Sequence, residues 1–186
     1  MIELKNVNFS YGDTAVLKDF SLSVKTGECV CLKGESGCGK TTVLRLILGL
    51  EAAQSGTVTV DGTVSAVFQE DRLIESLSLS KNLELITNDT LLTSDLIKKA
   101  ELETVANKKI ADFSGGMKRR AAIIRAIAFG GDALILDEPF NGLDLENKQK
   151  MASLIKEQYL EKGKSVLLIS HIEEDARLLN AKIVEM

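Results

Sequence analysis

The stretch that decides the fold of this chain is Gly34-Glu35-Ser36-Gly37-Cys38-Gly39-Lys40-Thr41. It matches the pattern G-x-x-x-x-G-K-[ST] at every fixed position. The apolar run Cys29–Leu32 precedes it and predicts a strand that is buried on both faces. A helix is predicted directly after it, because apolar residues recur there at helical spacing, namely Val43, Leu44, Ile47 and Leu48. A strand, a glycine-rich loop and a helix in this order are typical of a phosphate-binding loop.

The residue types of this loop suit an anion. Gly34, Gly37 and Gly39 allow backbone N–H groups to curl around a phosphate without Cβ clashes. The N-terminus of the following helix adds partial positive charge. Lys40 would place a full charge on the β- and γ-phosphates, and Thr41 would offer its hydroxyl to Mg²⁺. We therefore expect a nucleotide to be held by Gly34, Glu35, Ser36, Gly37, Cys38, Gly39, Lys40, Thr41 and Thr42.

A metal ligand and a base are predicted at the end of a second buried strand. Ala133–Leu136 is continuously apolar, and Asp137 and Glu138 follow it directly. Open α/β sheets bind ligands at the carboxyl ends of their strands. Asp137 can hold the Mg²⁺ shell, and Glu138 can orient or deprotonate an attacking water.

The wider pattern predicts an α/β fold with a mostly parallel sheet. The first third is β-rich and predicts an N-terminal antiparallel β subdomain, in which Thr57–Val60 and Val64–Phe68 form a hairpin around Asp61-Gly62. Residues 71–112 are polar and helix-prone, and a further helix starts near Ser114. We interpret about 71–130 as a small helical subdomain inserted in the core of one domain spanning 1–186, because buried strands and helices alternate again afterwards.

Composition excludes several classes of protein. There are 23 basic and 27 acidic residues among 186, a net charge of −4, and only 4% are aromatic, so no direct nucleic-acid surface is expected. Lys118-Arg119-Arg120 is interpreted as charge on an exposed helix face. No stretch approaches the roughly 20 apolar residues that span a bilayer, so a membrane role needs a partner chain. Three cysteines without framework spacing indicate reduced thiols.

Further motifs narrow the class of phosphate-loop protein. Phe113–Arg120 resembles the L-S-G-G-Q signature of ABC ATPases, with Ser114 also placed as a helix N-cap. Asn141–Asp144 resembles the D-loop of that family. Gln69 and His171 each follow an apolar strand and are similar to its Q-loop glutamine and switch histidine, and Tyr11 resembles the aromatic residue that stacks on adenine. The chain is identified as a member of the ABC ATPase family, with a P-loop NTPase core.

The resemblance implies an ATP-hydrolysing subunit of an ABC transporter. It implies that ATP and Mg²⁺ are bound, with Glu138, His171 and Gln69 catalytic and with Thr41, Gln69 and Asp137 at the metal. Two such domains would stack head to tail as an ATP-dependent homodimer or heterodimer, so that Ser114, Gly115 and Gly116 contact the nucleotide of the partner. Transmembrane permease subunits, and for an importer a solute-binding protein, would be the other partners. The expected location is the cytoplasmic face of the cell membrane.

Some residues depart from the family pattern, and alternatives stay open. Phe113 and Met117 replace the usual Leu and Gln of the signature, and Asn141-Gly142 replaces the common Ser-Ala of the D-loop. The run Asp137–Phe140 is more typical of bacterial importers than of lipid exporters. The alternatives are a soluble ABC-type ATPase that remodels nucleic acid or ribosomes, a regulatory module without catalysis, and a small GTPase, whose guanine-reading pattern Asn107–Ile110 lacks its final acid.

Overall fold

The computed structural model describes residues 1–35 and 37–186, so Ser36 of the predicted phosphate loop lies outside the described residues. The strands are β1 (Ile2–Tyr11), β2 (Thr14–Val24), β3 (Cys29–Lys33), β4 (Ser55–Val60), β5 (Val64–Val67), β6 (Ala133–Asp137), β7 (Ser165–Ile169) and β8 (Lys182–Glu185). The helices are α1 (Lys40–Ile47), α2 (Leu79–Glu84), α3 (Thr90–Lys99), α4 (Gly115–Phe129), α5 (Leu145–Gln158) and α6 (Glu173–Leu178). Short 3₁₀ turns lie at Glu103–Val105, Ile110–Asp112 and Leu160–Lys162.

The strands form two sheets. One is antiparallel, with the order β2-β1-β4, and the other is parallel, with the order β5-β6-β7-β3-β8. Both are what the sequence predicts, and the α/β fold class is confirmed. Non-consecutive strands lie side by side in the parallel sheet because helical crossovers return the chain to the same edge.

The predicted hairpin across Asp61-Gly62 is wrong. β4 pairs with β1 in the antiparallel sheet, whereas β5 pairs with β6 in the parallel sheet. The corner between them is fixed by Asp132, whose carboxylate accepts hydrogen bonds from Thr63 N at 2.8 Å and from Thr63 Oγ1 at 3.0 Å. A Cβ on Gly62 would lie 2.3 Å from Asp132 Oδ2, so glycine is required there. These contacts direct the chain into the second sheet, a tertiary effect that outweighs the local turn signal.

Two hydrophobic clusters sandwich the parallel sheet. Cys29 and Cys31 of β3 point into one cluster, while Val30 and Leu32 between them point into the other. The first cluster is completed by apolar residues of α2 to α6, and the second by residues of β1, β2 and α1. Successive strand residues point to opposite faces, so a strand covered on both faces reads as an unbroken apolar run.

The segment predicted as an inserted helical subdomain holds α2, α3 and α4. Their N-caps are Ser78, Asp89 and Ser114, each of which accepts a hydrogen bond from a backbone N–H three residues later. The buried side chains of the segment, such as Leu83 and Leu96, belong to the same cluster as the parallel strands. Its treatment as a subdomain within a single domain therefore stays a prediction.

Across the described part of the chain, every helix is too short or too polar to cross a membrane.

Candidate nucleotide-binding site

The strand order gathers the predicted site residues at one edge of the parallel sheet. β5 ends two residues before Gln69, β6 leads into Glu138, β7 ends two residues before His171, and β3 leads into the phosphate loop. These four strands are consecutive neighbours, and register pairs such as Asp137 with Ile169 bring their carboxyl ends level. Residues scattered over most of the chain therefore converge because the strands that carry them are parallel.

An open cleft of about 720 Å³ lies at this edge. The residues that line it come from four strand ends, from the phosphate loop and the start of α1, and from the antiparallel sheet. They are Tyr11, Val16, Glu35, Gly37, Gly39, Lys40, Thr41, Thr42, Gln69, Asp137, Glu138 and His171. Of these, Val16 was not foreseen from the sequence. Gly34 and Cys38 belong to the loop but do not line the cleft.

The phosphate loop wraps around the ammonium group of Lys40. Lys40 Nζ donates hydrogen bonds to the carbonyl oxygens of Gly34 and Glu35, both at 2.7 Å, and lies 3.7 Å from Cys38 Sγ. The residue is 9% exposed. A full positive charge is therefore fixed at the floor of the cleft by the backbone of the loop itself.

The N-terminus of α1 points into the same cleft. Its N-cap is Gly39, with φ of 111°, and neither a side-chain cap nor a first-turn acidic residue is found there among the described residues. A Cβ on Gly39 would lie 2.9 Å from Val16 Cγ1, so both backbone conformation and space demand glycine. Uncapped N–H groups and the helix dipole favour an anion at this position.

Three oxygen donors in the cleft suit a divalent cation. Thr41 supplies a hydroxyl, Gln69 an amide oxygen and Asp137 a carboxylate. Oxygen donors with a single carboxylate fit Mg²⁺, which keeps several waters and shares the phosphates of its nucleotide. Within the described residues no cluster of three or more His, Cys, Asp or Glu could hold a metal unaided. Burial raises the pKa of Asp137, and Glu138 adds to the rise, whereas Lys40 and Arg119 oppose it.

Glu138 is held between two side chains. Its Oε1 lies 3.0 Å from His171 Nδ1, and its Oε2 accepts a hydrogen bond from Asn141 Nδ2. Its backbone has φ of 47°, a left-handed conformation, and its N–H donates to Ile169 O at 2.8 Å. Such uncommon backbone conformations cluster at functional sites. The geometry presents one carboxylate to the cleft in a fixed orientation.

The loop that carries His171 is anchored from below. Ser170 Oγ donates a hydrogen bond to Asp175 Oδ2 at 2.9 Å and accepts one from Ile172 N at 3.0 Å. Asp175 is fully buried and is paired with Lys148 Nζ at 3.2 Å. The His171 side chain is 56% exposed and so remains open to the cleft.

The remaining predicted nucleotide contacts are Tyr11 and the Ser114–Gly116 loop, and only Tyr11 lines the cleft. Tyr11 is exposed at the mouth of the cleft, packs edge-on against Phe9 at 4.8 Å between ring centroids, and accepts a hydrogen bond from Arg45 Nη1 at 3.1 Å. Ser114–Gly116 does not line the cleft. This loop begins α4, with Ser114 Oγ accepting from Met117 N; Ser114 and Gly115 are exposed to solvent and Gly116 is half-buried.

The interpretation of Lys118-Arg119-Arg120 as an exposed charged face is wrong, because Lys118 and Arg120 are half-buried and Arg119 is buried. Arg119 is 7% exposed, and its guanidinium donates to Phe68 O at 2.8 Å and to Gln69 O at 2.5 Å. Helical spacing does not single out Arg119, because Lys118 and Arg120 also lie four residues before buried residues of α4, Ala122 and Ile124. In the sequence Asn141 stands out only as a departure from the family pattern, which does not indicate its contact with Glu138.

Comparison with known proteins decides the family. The family model described as "ABC transporter" matches residues 17–141, more than half of the chain. The chain belongs to the ABC transporter family. The membership inferred from the signature and loop motifs is thereby confirmed.

Curated ABC relatives include proteins of both transport directions. The chain is 36% identical to the Nod factor export ATP-binding protein I of Cupriavidus pinatubonensis, over 96% of the chain and 61% of that relative. It is 35% identical to the aliphatic sulfonates import ATP-binding protein SsuB 1 of Shouchella clausii, over 98% and 75%. It is 32% identical to the spermidine/putrescine import ATP-binding protein PotA of Haemophilus influenzae, over 99% and 55%. The chain thus spans less than two thirds of the length of the first and third.

Solved ABC structures share the fold. A dimeric post-hydrolysis state of an ATP-binding cassette bound to ADP and Pi superposes with a TM-score of 0.89 at 30% identity. That match covers 100% of this chain and 94% of the other. A structure described as the ATP-binding subunit of an ABC transporter has a TM-score of 0.90 at 27% identity, covering 100% and 85%.

Proposed function

We propose that this chain binds ATP with Mg²⁺, hydrolyses it, and thereby powers solute transport through a partner permease. The observation that carries the proposal is the cleft that unites a lysine-centred phosphate loop, an oxygen donor set and a fixed carboxylate. Lys40, Asp137 and Glu138 come from distant parts of the sequence yet line one cavity of nucleotide size. ABC relatives whose names describe them as ATP-binding proteins support the proposal that this cleft binds ATP.

Each group has a distinct role in this proposal. Lys40 and the N-terminus of α1 bind the phosphates, and Tyr11 stacks on the base. Thr41, Gln69 and Asp137 hold Mg²⁺, which when bound neutralises charge on the phosphates. Glu138 orients the attacking water and accepts its proton, while His171 fixes the Glu138 carboxylate.

Assembly follows from the position of the signature loop. Ser114–Gly116 is a glycine-rich helix N-terminus, exposed at Ser114 and Gly115, that lies outside the cleft of its own chain. We infer that it completes the cleft of a second ATPase subunit, identical or different, when ATP is bound. A second anion-binding helix end is then brought to the γ-phosphate, so nucleotide charge joins the two chains.

The cellular setting is inferred from the relatives. Two of those named above are import proteins, for aliphatic sulfonates and for spermidine/putrescine, which favours an importer for this chain. An importer would act at the cytoplasmic face of the membrane with permease subunits and a solute-binding protein. The Nod factor export protein shows that relatives of equal similarity serve the opposite direction.

A hydrolysis assay on the full chain tests the proposal. We expect Mg²⁺-dependent release of phosphate from ATP that excess GTP inhibits only weakly. Lys40→Ala should abolish turnover because it removes the cation at the cleft floor, while the exposed Lys162→Ala serves as the matched control. Equal turnover of Lys40→Ala and the unaltered chain would show that phosphates bind elsewhere.

A further inference from the structure

The buried guanidinium of Arg119 contacts the loop that carries Gln69. Arg119 extends from α4 beneath the end of β5 and bridges two successive carbonyl oxygens, those of Phe68 and Gln69. The same guanidinium lies 3.3 Å from Asp71 Oδ1, a buried oxygen with no hydrogen-bond donor among the described residues. Arg119 thus contacts Phe68, Gln69 and Asp71, three of four consecutive residues.

Stability alone does not explain why a charged side chain is buried at position 119. A buried ion pair is often no more stabilising than apolar side chains of similar volume, because both charges lose their hydration. What the guanidinium adds is geometry, since its planar fork fixes two acceptors at once. The path of the Gln69 backbone is therefore specified by Arg119 to a degree that an apolar contact could not reach.

The side chain of Gln69 needs such support. Gln69 is exposed and lines the cleft, and its contact with Arg119 is made through its backbone carbonyl oxygen rather than its side chain.

We propose that Arg119 is a positioning residue for the divalent cation of the bound nucleotide, which it serves by holding Gln69 at the cleft. This inference rests on the proposed function, because it assumes that Gln69 and Asp137 meet Mg²⁺·ATP. Residues that orient metal ligands from outside the coordination shell typically change metal affinity by 10- to 100-fold when replaced. Loss of Arg119 should therefore weaken the contribution of Mg²⁺ to ATP binding.

Arg125 provides a matched control on the same helix. It donates to Asp71 O at 3.1 Å and to Arg72 O at 2.6 Å, two and three residues beyond Gln69. Arg119→Met and Arg125→Met each remove one guanidinium that bridges two carbonyl oxygens of the same loop. A purely structural role predicts similar effects of the two substitutions, whereas the proposal predicts different ones.

The experiment compares ATP affinity with and without Mg²⁺ by calorimetry, in a Glu138→Gln background that prevents turnover. The readout is the dissociation constant of ATP without Mg²⁺ divided by the dissociation constant with Mg²⁺. We expect Arg119→Met to reduce that ratio on the order of tenfold, with affinity for metal-free ATP unchanged, and Arg125→Met to leave the ratio intact. Thermal denaturation of each variant reports its stability separately.

Each outcome decides the question. If the ratio in Arg119→Met equals that of the parent protein, or if Arg125→Met lowers the ratio as much as Arg119→Met does, the proposal is wrong. If Arg119→Met does not fold, Arg119→Lys takes its place in the test, because lysine keeps the charge but cannot bridge both carbonyl oxygens. A ratio in Arg119→Lys equal to that of the parent protein would also overturn the proposal. Failure of the parent protein to bind ATP would overturn the proposed function and this inference with it, whereas binding that gains nothing from Mg²⁺ would overturn the metal site alone.

Discussion

His171 Nδ1 lies 3.0 Å from Glu138 Oε1, although 33 residues separate the two in the sequence. Their strands, β6 and β7, are parallel neighbours, and Glu138 N donates to Ile169 O at the point where both strands end. Asn141 holds the second carboxylate oxygen. The carboxylate is therefore positioned from two sides before any ligand enters the cleft.

The contact predicts a specific effect of His171→Ala. We expect hydrolysis to fall by about 10²-fold or more, the usual contribution of a positioned acid–base group, while ATP affinity stays within a few-fold. His171→Asn should restore part of the rate, because its amide can occupy the place of Nδ1. Rate measurements alongside calorimetric titration separate the two effects, and full activity of His171→Ala would assign the histidine no part in the reaction.

The placement of the site could be predicted to a large extent from the sequence. Short runs that are buried on both faces precede the phosphate loop, Glu138 and His171, and such runs belong to a parallel sheet. The carboxyl ends of such strands meet at one edge, so Asp137, Glu138 and the phosphate loop had to converge. The strand before Gln69, β5, is only half-buried, and its pattern does not indicate the parallel sheet. The relation of Gln69 and His171 to the cleft came from the family resemblance, and the cleft does contain them.

Features that depend on distant contacts could not be predicted in this way. Asp61-Gly62 carries the local signal of a hairpin turn, yet hydrogen bonds from Thr63 to Asp132 place β5 in the other sheet. Arg119 looks like surface charge beside Lys118 and Arg120 until the carbonyl oxygens of a loop 50 residues earlier are seen to bind it. Local propensity is overridden in both cases by a polar partner that is remote in sequence.

Gly56 should be the more sensitive of two glycines with left-handed backbones. Its φ is 82°, and a Cβ there would lie 2.4 Å from the carbonyl oxygens of Lys5 and Asn6. Gly163 has φ of 69° but open space around it. We expect Gly56→Ala to cost roughly 1–3 kcal/mol more than Gly163→Ala in chemical denaturation, since overpacking adds to backbone strain. Equal losses would mean that β1 and β4 adapt freely.

Two of the three cysteines should resist alkylation in the folded chain. Burial raises the pKa of Cys29 from 9.0 to about 12 and that of Cys31 from 9.0 to about 11. At about pH 8 both stay protonated and unreactive, because the thiolate is the nucleophile. Iodoacetamide followed by mass spectrometry should therefore modify the half-buried Cys38 first, and all three in denaturant.

The same shifts set the pH dependence of stability. A thiol whose pKa is raised on folding stabilises the chain fully below pH 9 and loses that contribution as the pH rises towards 11 or 12. The free energy of unfolding should fall across this window, and it should fall less steeply in a Cys29→Ala, Cys31→Ala variant. An unchanged slope in that variant would contradict the shifts.

Substitution of Glu138, the proposed general base, also tests the proposed assembly. Glu138→Gln keeps the shape of the side chain but removes the base, which should slow hydrolysis on the order of 10² to 10⁴-fold. It also removes a negative charge beside the γ-phosphate, so ATP should remain bound. Because the proposed interface shares each γ-phosphate between two chains, Glu138→Gln should be a monomer without nucleotide or with ADP and a dimer with ATP. Size-exclusion chromatography with light scattering measures this directly.

Ser114→Arg in the same background should abolish the ATP dimer, since it puts a bulky side chain where the proposed interface meets the nucleotide. Asp89→Arg is the control: Asp89 is likewise an exposed N-cap, of α3, accepting from Leu92 N at 2.9 Å, and it lies outside the proposed interface. Both variants lose about 1 kcal/mol of capping, so loss of the cap affects them equally. Only Ser114→Arg should stay monomeric with ATP. A dimer that forms equally with ADP, or that survives Ser114→Arg, would rule out an interface built on the shared γ-phosphate.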